Sequence, residues 1–295
     1  MHPPHCGPRN NFSRTHLPFT LAHPAAILPF LRQPFVPIAL IAGAMAPDIP
    51  YFAMVSSTSE SWYEPFLNGT NSHDFAQILS VGLPLALVLA GFLWLVARPL
   101  RWATPDAWLP TKTPATGRKP SSARIALWTF YSLMLGLVTH LAWDSLTHGG
   151  GRVVQLLPVL STELFSGFPA YRILQHLSTV VGLLVLLWWY VKRVKASRAA
   201  DTSTETSVTR FRTALVGLIL LVPAALAAGI GVSHELTVNA ELGAGIGVEL
   251  GIESLLWIAI TRGGAALLLA ATAYGLVWQG TALFIWLRTR AHSRA

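Results

Sequence analysis

The sequence predicts an all-α protein: a polytopic membrane helix bundle with about five full spans and an N-terminal re-entrant or interfacial helical hairpin. Three observations predict it. The 295 residues are 53% hydrophobic and only 12% charged, with a mean hydropathy of +0.51, whereas soluble domains carry about 25% charged residues. Five runs lack Lys, Arg, Asp and Glu and are long enough for a spanning helix, which takes about 20 apolar residues. Basic residues alternate between successive connections, as they do where charge sets membrane topology.

Residues 1–15 are proline-rich and polar, with no apolar core for a cleavable signal; they read as a disordered tail. The next stretch, "THLPFTLAHPAAILPFLRQPFVPIALIAGAMAPDIPYF", is apolar but broken by Arg32, Pro34 and Pro37. As one span it would carry a charge at mid-depth and helix-breaking prolines. As two short helices, His23–Leu31 and Val36–Ala46, it forms a hairpin too short to cross, since each arm is about 15 Å long at 1.5 Å per residue. The hairpin returns His23 to the level of Asp48. The competing reading has six spans and a cytoplasmic N-terminus.

The five charge-free runs are Ala76–Ala97, Ile125–Trp143, Ile173–Val191, Thr213–Val232 and Gly263–Leu287. They divide the chain into a metal-site membrane domain at 16–192, a cytoplasmic linker at 193–212 and two further spans within 213–295.

Arg98, Arg101, Lys112, Arg118, Lys119 and Arg124 separate the first two spans; Lys192, Arg193, Lys195, Arg198, Arg210 and Arg212 separate the third and fourth. Residues 46–75 have no Lys or Arg, and 145–172 has only Arg152 and Arg172. The basic side is cytoplasmic by the positive-inside rule, and so is the C-terminus. This distribution accounts for the net charge of +8 without a nucleic-acid partner. The expected setting is a cell membrane, with the lipid bilayer as partner; no feature specifies an oligomeric state. The single cysteine, Cys6, excludes an internal disulfide.

Ionisable residues gather on the opposite, extracytoplasmic side. "HLAWDSLTHGG" puts His140, Asp144 and His148 at four-residue steps, which on a helix share one face. "GGG" at 149–151 stops that helix. His176 begins the facing span, "NSHDF" brings His73 and Asp74 just before the first span, and Asp48 ends the hairpin. Imidazoles and carboxylates at one depth suit zinc or a similar divalent ion, and ionisable groups in membranes are usually functional. Asp74 also suits a helix cap. Arg172 is placed either to hold a substrate phosphate or to snorkel. Glu235, Glu241, Glu249 and Glu253 read as a solvated surface. Haem, with His140 and His176 as axial ligands, leaves the aspartates without a use.

"LPFTLAHPAAILPF", "GAMAPDIPYF", "SHDF", "HLAWDSLTHGG" and "QHLS" resemble an uncharacterised bacterial family of multi-pass membrane proteins, known as a domain of unknown function. That family resembles predicted membrane-bound metal-dependent hydrolases, themselves similar to the all-helical zinc-dependent phospholipase C and single-strand nuclease superfamily. The resemblance covers roughly residues 16–190. The superfamily's order of ligands falls here on His23, Asp48, His73, His140, Asp144, His148 and His176. Val180 stands where the soluble phospholipases carry a glutamate, and their N-terminal tryptophan is missing, so the resemblance implies one or two ions rather than three.

The resemblance implies a membrane-embedded metal-dependent hydrolase acting on a phosphoester or a lipid-linked substrate at the outer interface. Asp48, His73, His140 and Asp144 would hold the principal ion, and His148, His176 and His23 a second. Asp48 would also serve as general base. The alternative is a non-enzymatic metal-binding or transport protein using the same residues.

Overall fold

The structure, a computed structural model, describes residues 20–53, 68–109, 121–165, 167–200, 207–242 and 251–292. The expected tail at 1–15 and Glu249 lie outside them.

The hairpin is present, and its two arms differ. Thr20–Phe30 is a 3-10 helix, long for that type. Pro24 and Pro29 each lack the N–H that an α-helix would need there. The second arm, α1 (Pro37–Met45), starts on a proline whose fixed φ suits a first turn. Its preceding residue is capped from another helix: Val36 N–H donates to Ser132 Oγ at 2.9 Å. The arm ends in a 3-10 turn, Ala46–Asp48, then one helical turn, α2 (Ile49–Phe52).

A second single turn, α3 (Gly69–Ser72), leads to His73. Asp74 caps the 3-10 turn after it, accepting from Ala76 N–H at 2.9 Å. The chain then passes through a π-turn at Ile78–Gly82 into α4 (Leu83–Ala103). Next come α5 (Ser122–Thr147) and α6 (Arg152–Leu156). A small antiparallel ribbon, β1 (Glu163–Phe165) with β2 (Phe168–Pro169), precedes the long helices α7 (Ala170–Ala200), α8 (Ser207–Leu242) and α9 (Ile252–His292).

Among the described residues, five helices are long and apolar enough to cross a membrane: Phe75–Ala103, Ser122–Thr147, Ala170–Ala196, Ser207–Ala240 and Ile252–Arg290. Each contains one of the five charge-free runs. The hairpin arms fall short of that length, so the protein is a five-span bundle with an inserted hairpin.

The hairpin lies along α5. Two glycines let the backbones meet: a Cβ on Gly43 would sit 2.2 Å from the Leu133 carbonyl, and one on Gly136 would sit 2.4 Å from that of Leu40. Small residues at a crossing serve membrane helices in this way, because close van der Waals contact replaces the hydrophobic drive. Ala39, Ala42, Leu85, Leu133 and Leu137 fill the core around this crossing. The hairpin's tip lies level with the second turn of α5, where Phe35 meets Trp128 edge to face, and its open ends lie level with His140. The α8–α9 pair joins through α4 and the hairpin, with Phe52 packed on Gly264.

One expectation needs correcting. Helix α5 stops at Thr147, and His148 is its C-cap, with extended φ −120° and ψ 141°. The three-step ladder on one helix face therefore has two rungs. The reversal is tight: a Cβ on Gly151 would lie 2.5 Å from the Ser145 carbonyl. Helix α7 runs to Ala200 and α8 begins at Ser207, so the described residues of the connection at 193–212 are helical.

Candidate metal centre

The site forms where the hairpin, the α3 turn and α5 converge. Asp48 leaves the turn that ends the second arm and is fully buried. Ser72 Oγ donates to the Pro47 carbonyl at 2.6 Å and so ties the turn bearing His73 to the turn bearing Asp48. One helical turn beyond Gly136, His140 is 1% exposed and faces α1.

Backbone carbonyls select the imidazole tautomers. His140 Nδ1 lies 2.8 Å from the Ala44 carbonyl, and His73 Nδ1 lies 2.7 Å from that of Gly69. A carbonyl only accepts, so each Nδ1 carries the proton and each Nε2 is left to face the site. Outer contacts of this kind orient the histidines of metal sites.

The two Nε2 atoms are 3.3 Å apart. His73 Nε2 is 3.2 Å from both Asp48 Oδ1 and Asp144 Oδ2. His140 Nε2 is 3.1 Å from Asp144 Oδ2 and 3.7 Å from Asp48 Oδ1. One ligand atom from each of these four residues can be chosen so that all lie within 4.8 Å of one another. Zinc bonds to nitrogen and oxygen of about 2.0–2.2 Å would put tetrahedral donors roughly 3.3–3.6 Å apart. The donor set fits a cation in chemistry and spacing, and the four residues can hold a metal ion.

His23 approaches the other carboxylate oxygens. Its Nε2 is 3.5 Å from Asp144 Oδ1 and 3.9 Å from Asp48 Oδ2, and its ring stacks on His140 at 3.9 Å between centroids. Among the described residues, Asp48 Oδ2 and Asp144 Oδ1 are buried without a well-formed hydrogen bond, as is His23 Nδ1. Buried acceptors of this kind are costly unless something supplies positive charge.

His148 remains in the site from its capping position: Nδ1 is 3.3 Å from Asp144 Oδ1. Gln175 Nε2 lies 3.1 Å from His148 Nε2; an amide N–H donates there and leaves the His148 Nδ1–H facing Asp144. A small cavity of about 10 Å³, the room of about one water, is lined by His23, Asp144, His148 and Gln175.

His176 is not brought to this group. It is 45% exposed, with Nε2 at 3.9 Å from Glu253 Oε1. Helix α7 turns Gln175 inward instead, because Gly182 on the same helix packs against Ala22 of the hairpin and sets the rotation. Arg172 pairs with Glu253 Oε2 and lies over the Phe168 ring at 5.3 Å. Glu253 is therefore a tie between α9 and α7 rather than part of a solvated face.

Charge follows this geometry. Burial pulls the His73 pKa down, but the carboxylates of Asp144 and Asp48 outweigh it and raise the value to about 10. Burial and the neighbouring His140 lower that of His23 to about 4. Burial raises the Asp48 pKa, but His140, His73 and His23 together hold it below its ordinary value.

Three contributors escape the sequence: Gln175, Tyr51 and Glu253. Tyr51 is three residues after Asp48, and its ring lies 5.7 Å from that of His73 and 5.4 Å from Trp257 on α9. The "PDIPY" spacing is its one signal in the sequence.

No curated protein and no solved structure matches the chain. A family model does match, over residues 17–276. That span runs from the hairpin through the site to α9, and the chain belongs to the family described as Domain of unknown function (DUF4184).

Proposed function

We propose that the protein is a metal-dependent hydrolase that uses zinc or a similar divalent ion, one or two per chain, at the extracytoplasmic face of a bacterial inner membrane. The observation that carries this reading is the meeting of His73 Nε2, His140 Nε2, Asp48 Oδ1 and Asp144 Oδ2, with both imidazole tautomers set by backbone carbonyls. The resemblance to membrane-bound metal-dependent hydrolases supports it, and the alternation of basic connections supports the orientation. A divalent ion in this setting supplies Lewis acidity, acidifying water toward neutrality and offsetting charge on a phosphoryl group.

The chain's own residues then have separate tasks. Asp48 Oδ2, which has no hydrogen-bond partner among the described residues, is placed to take a proton from water as general base. His23, stacked on His140, confines Asp48 and Asp144 from the opposite side. Gln175 orients His148, and His148 orients Asp144. The position beside the membrane boundary suits a phosphoester of a lipid or a lipid-linked molecule.

The test is hydrolysis by purified protein in lipid nanodiscs, offered phospholipids and lipid-linked phosphoesters. Release of product should stop on chelation, return with zinc, and be absent from Asp48→Asn even when metal is bound. Zinc crossing sealed liposomes without hydrolysis of any substrate would favour a transport role and overturn the proposal.

A further inference from the structure

Between α5 and α7, the helices carrying His140, Asp144 and Gln175, the chain does not turn directly. It runs out through α6, a 3-10 turn at Pro158–Ser161 and the β1–β2 ribbon. Its two roots are pinned. Val154 is buried, and Gly149 packs so closely on Tyr171 that a Cβ there would lie 2.9 Å from the phenolic oxygen. Between the roots is an apolar surface: Leu156, Val159 and Phe165 are 73%, 68% and 71% exposed, and Leu157 and Leu164 are exposed beside them. From Val153 to Tyr171 the sequence has a single charged residue, Glu163. Water does not tolerate apolar patches of this kind without a partner.

The surface has a neighbour that identifies the occupant. It continues onto the exposed flank of α7 through Leu174, Leu177 and Val181, and α7 is one of the five helices able to cross a membrane. The same medium that covers that flank reaches the ribbon. We propose that α6 and the ribbon form an interfacial strap, with Leu156, Val159, Leu164 and Phe165 inserted at the headgroup–acyl boundary of the leaflet at the site end of the bundle. Apolar area, supported by polar residues at the edges, is what holds interfacial segments in place. The strap leaves α5 just after His148 and rejoins α7 just before Gln175. Seating it in lipid puts the cavity beside Asp144 at the level of lipid phosphates. The strap itself stands without the hydrolase reading.

The test uses the full chain with Cys6→Ser as background. Leu164→Cys and Phe165→Cys are labelled with an environment-sensitive fluorophore and reconstituted into phosphatidylethanolamine–phosphatidylglycerol vesicles. Emission should shift to the blue, be lost on adding lipids with a nitroxide near the headgroup, and resist aqueous iodide. Quenching by iodide with no effect of the nitroxide lipids would overturn the proposal. Protection from both quenchers would overturn it too, because a protein partner or a second copy would then cover the surface. Hydroxyl-radical labelling of the unsubstituted protein guards against misfolded variants: Phe165 should be protected in vesicles, and strong oxidation there counts against the strap. The same probes in a His140→Ala background should read unchanged, which separates the strap's failure from that of the metal reading.

Discussion

His140 and Ala44 are joined by a 2.8 Å hydrogen bond from the imidazole Nδ1–H to the backbone carbonyl, across the contact of Gly136 with Gly43. The bond links the fold to the site. It exists because two glycines let the hairpin lie against α5, and it decides which nitrogen faces Asp48 and Asp144. The packing of the bundle and the geometry of the candidate site therefore depend on the same pair of backbones.

Gly136→Ala should loosen both together. The added Cβ would lie 2.4 Å from the Leu40 carbonyl, and overpacking of this kind costs about 1–3 kcal/mol. A lowered thermal unfolding midpoint accompanied by lost metal content is expected. An unchanged midpoint with full metal content would show that the two helices do not rely on this contact.

Ser72→Ala removes the 2.6 Å bond to the Pro47 carbonyl without touching any donor atom of the cluster. Supporting contacts of metal sites are worth about 10–100-fold in affinity, and a drop of that order is expected in competition with a chelating dye. Hydrolytic activity at saturating metal should fall much less.

His176→Ala should leave metal binding unaltered, because its ring meets Glu253 rather than the cluster. Gln175→Ala should weaken binding by releasing His148 from its 3.1 Å contact. Titrating both variants side by side with zinc checks the rotation of α7. The opposite ranking would place His176 inward.

Metal uptake should release a proton. With its pKa raised to about 10 by Asp144 and Asp48 against the effect of burial, His73 is protonated at pH 7, and a metal needs the neutral imidazole. Affinity should therefore rise as pH rises toward that value. An indicator dye in weakly buffered detergent solution reads the released proton, and its absence would mean that His73 stays out of the coordination shell.

The spans are legible in the sequence because a charge-free run of about 20 residues has one stable form in lipid, a helix that bonds its own backbone. The convergence of Asp48, His73, His140 and Asp144 is legible for a related reason, since ionisable residues at one depth have few reasons to be there. Helix phase is not legible in the same way. Whether Gln175 or His176 turns inward depends on how Gly182 meets Ala22, a contact 160 positions apart in the chain. His148 shows the same limit: its four-residue spacing suggests a third rung, but the glycines after it end α5 one residue earlier. Glu253 lies far along the chain from Arg172, and no local pattern marks it as a tie.

Elemental analysis of the detergent-purified protein, wild type beside His140→Ala, tests the central claim most directly. One or two equivalents of a divalent metal per wild-type chain, and its loss from the variant, is the predicted result. Equal metal in both proteins, or none in the wild type, would contradict it.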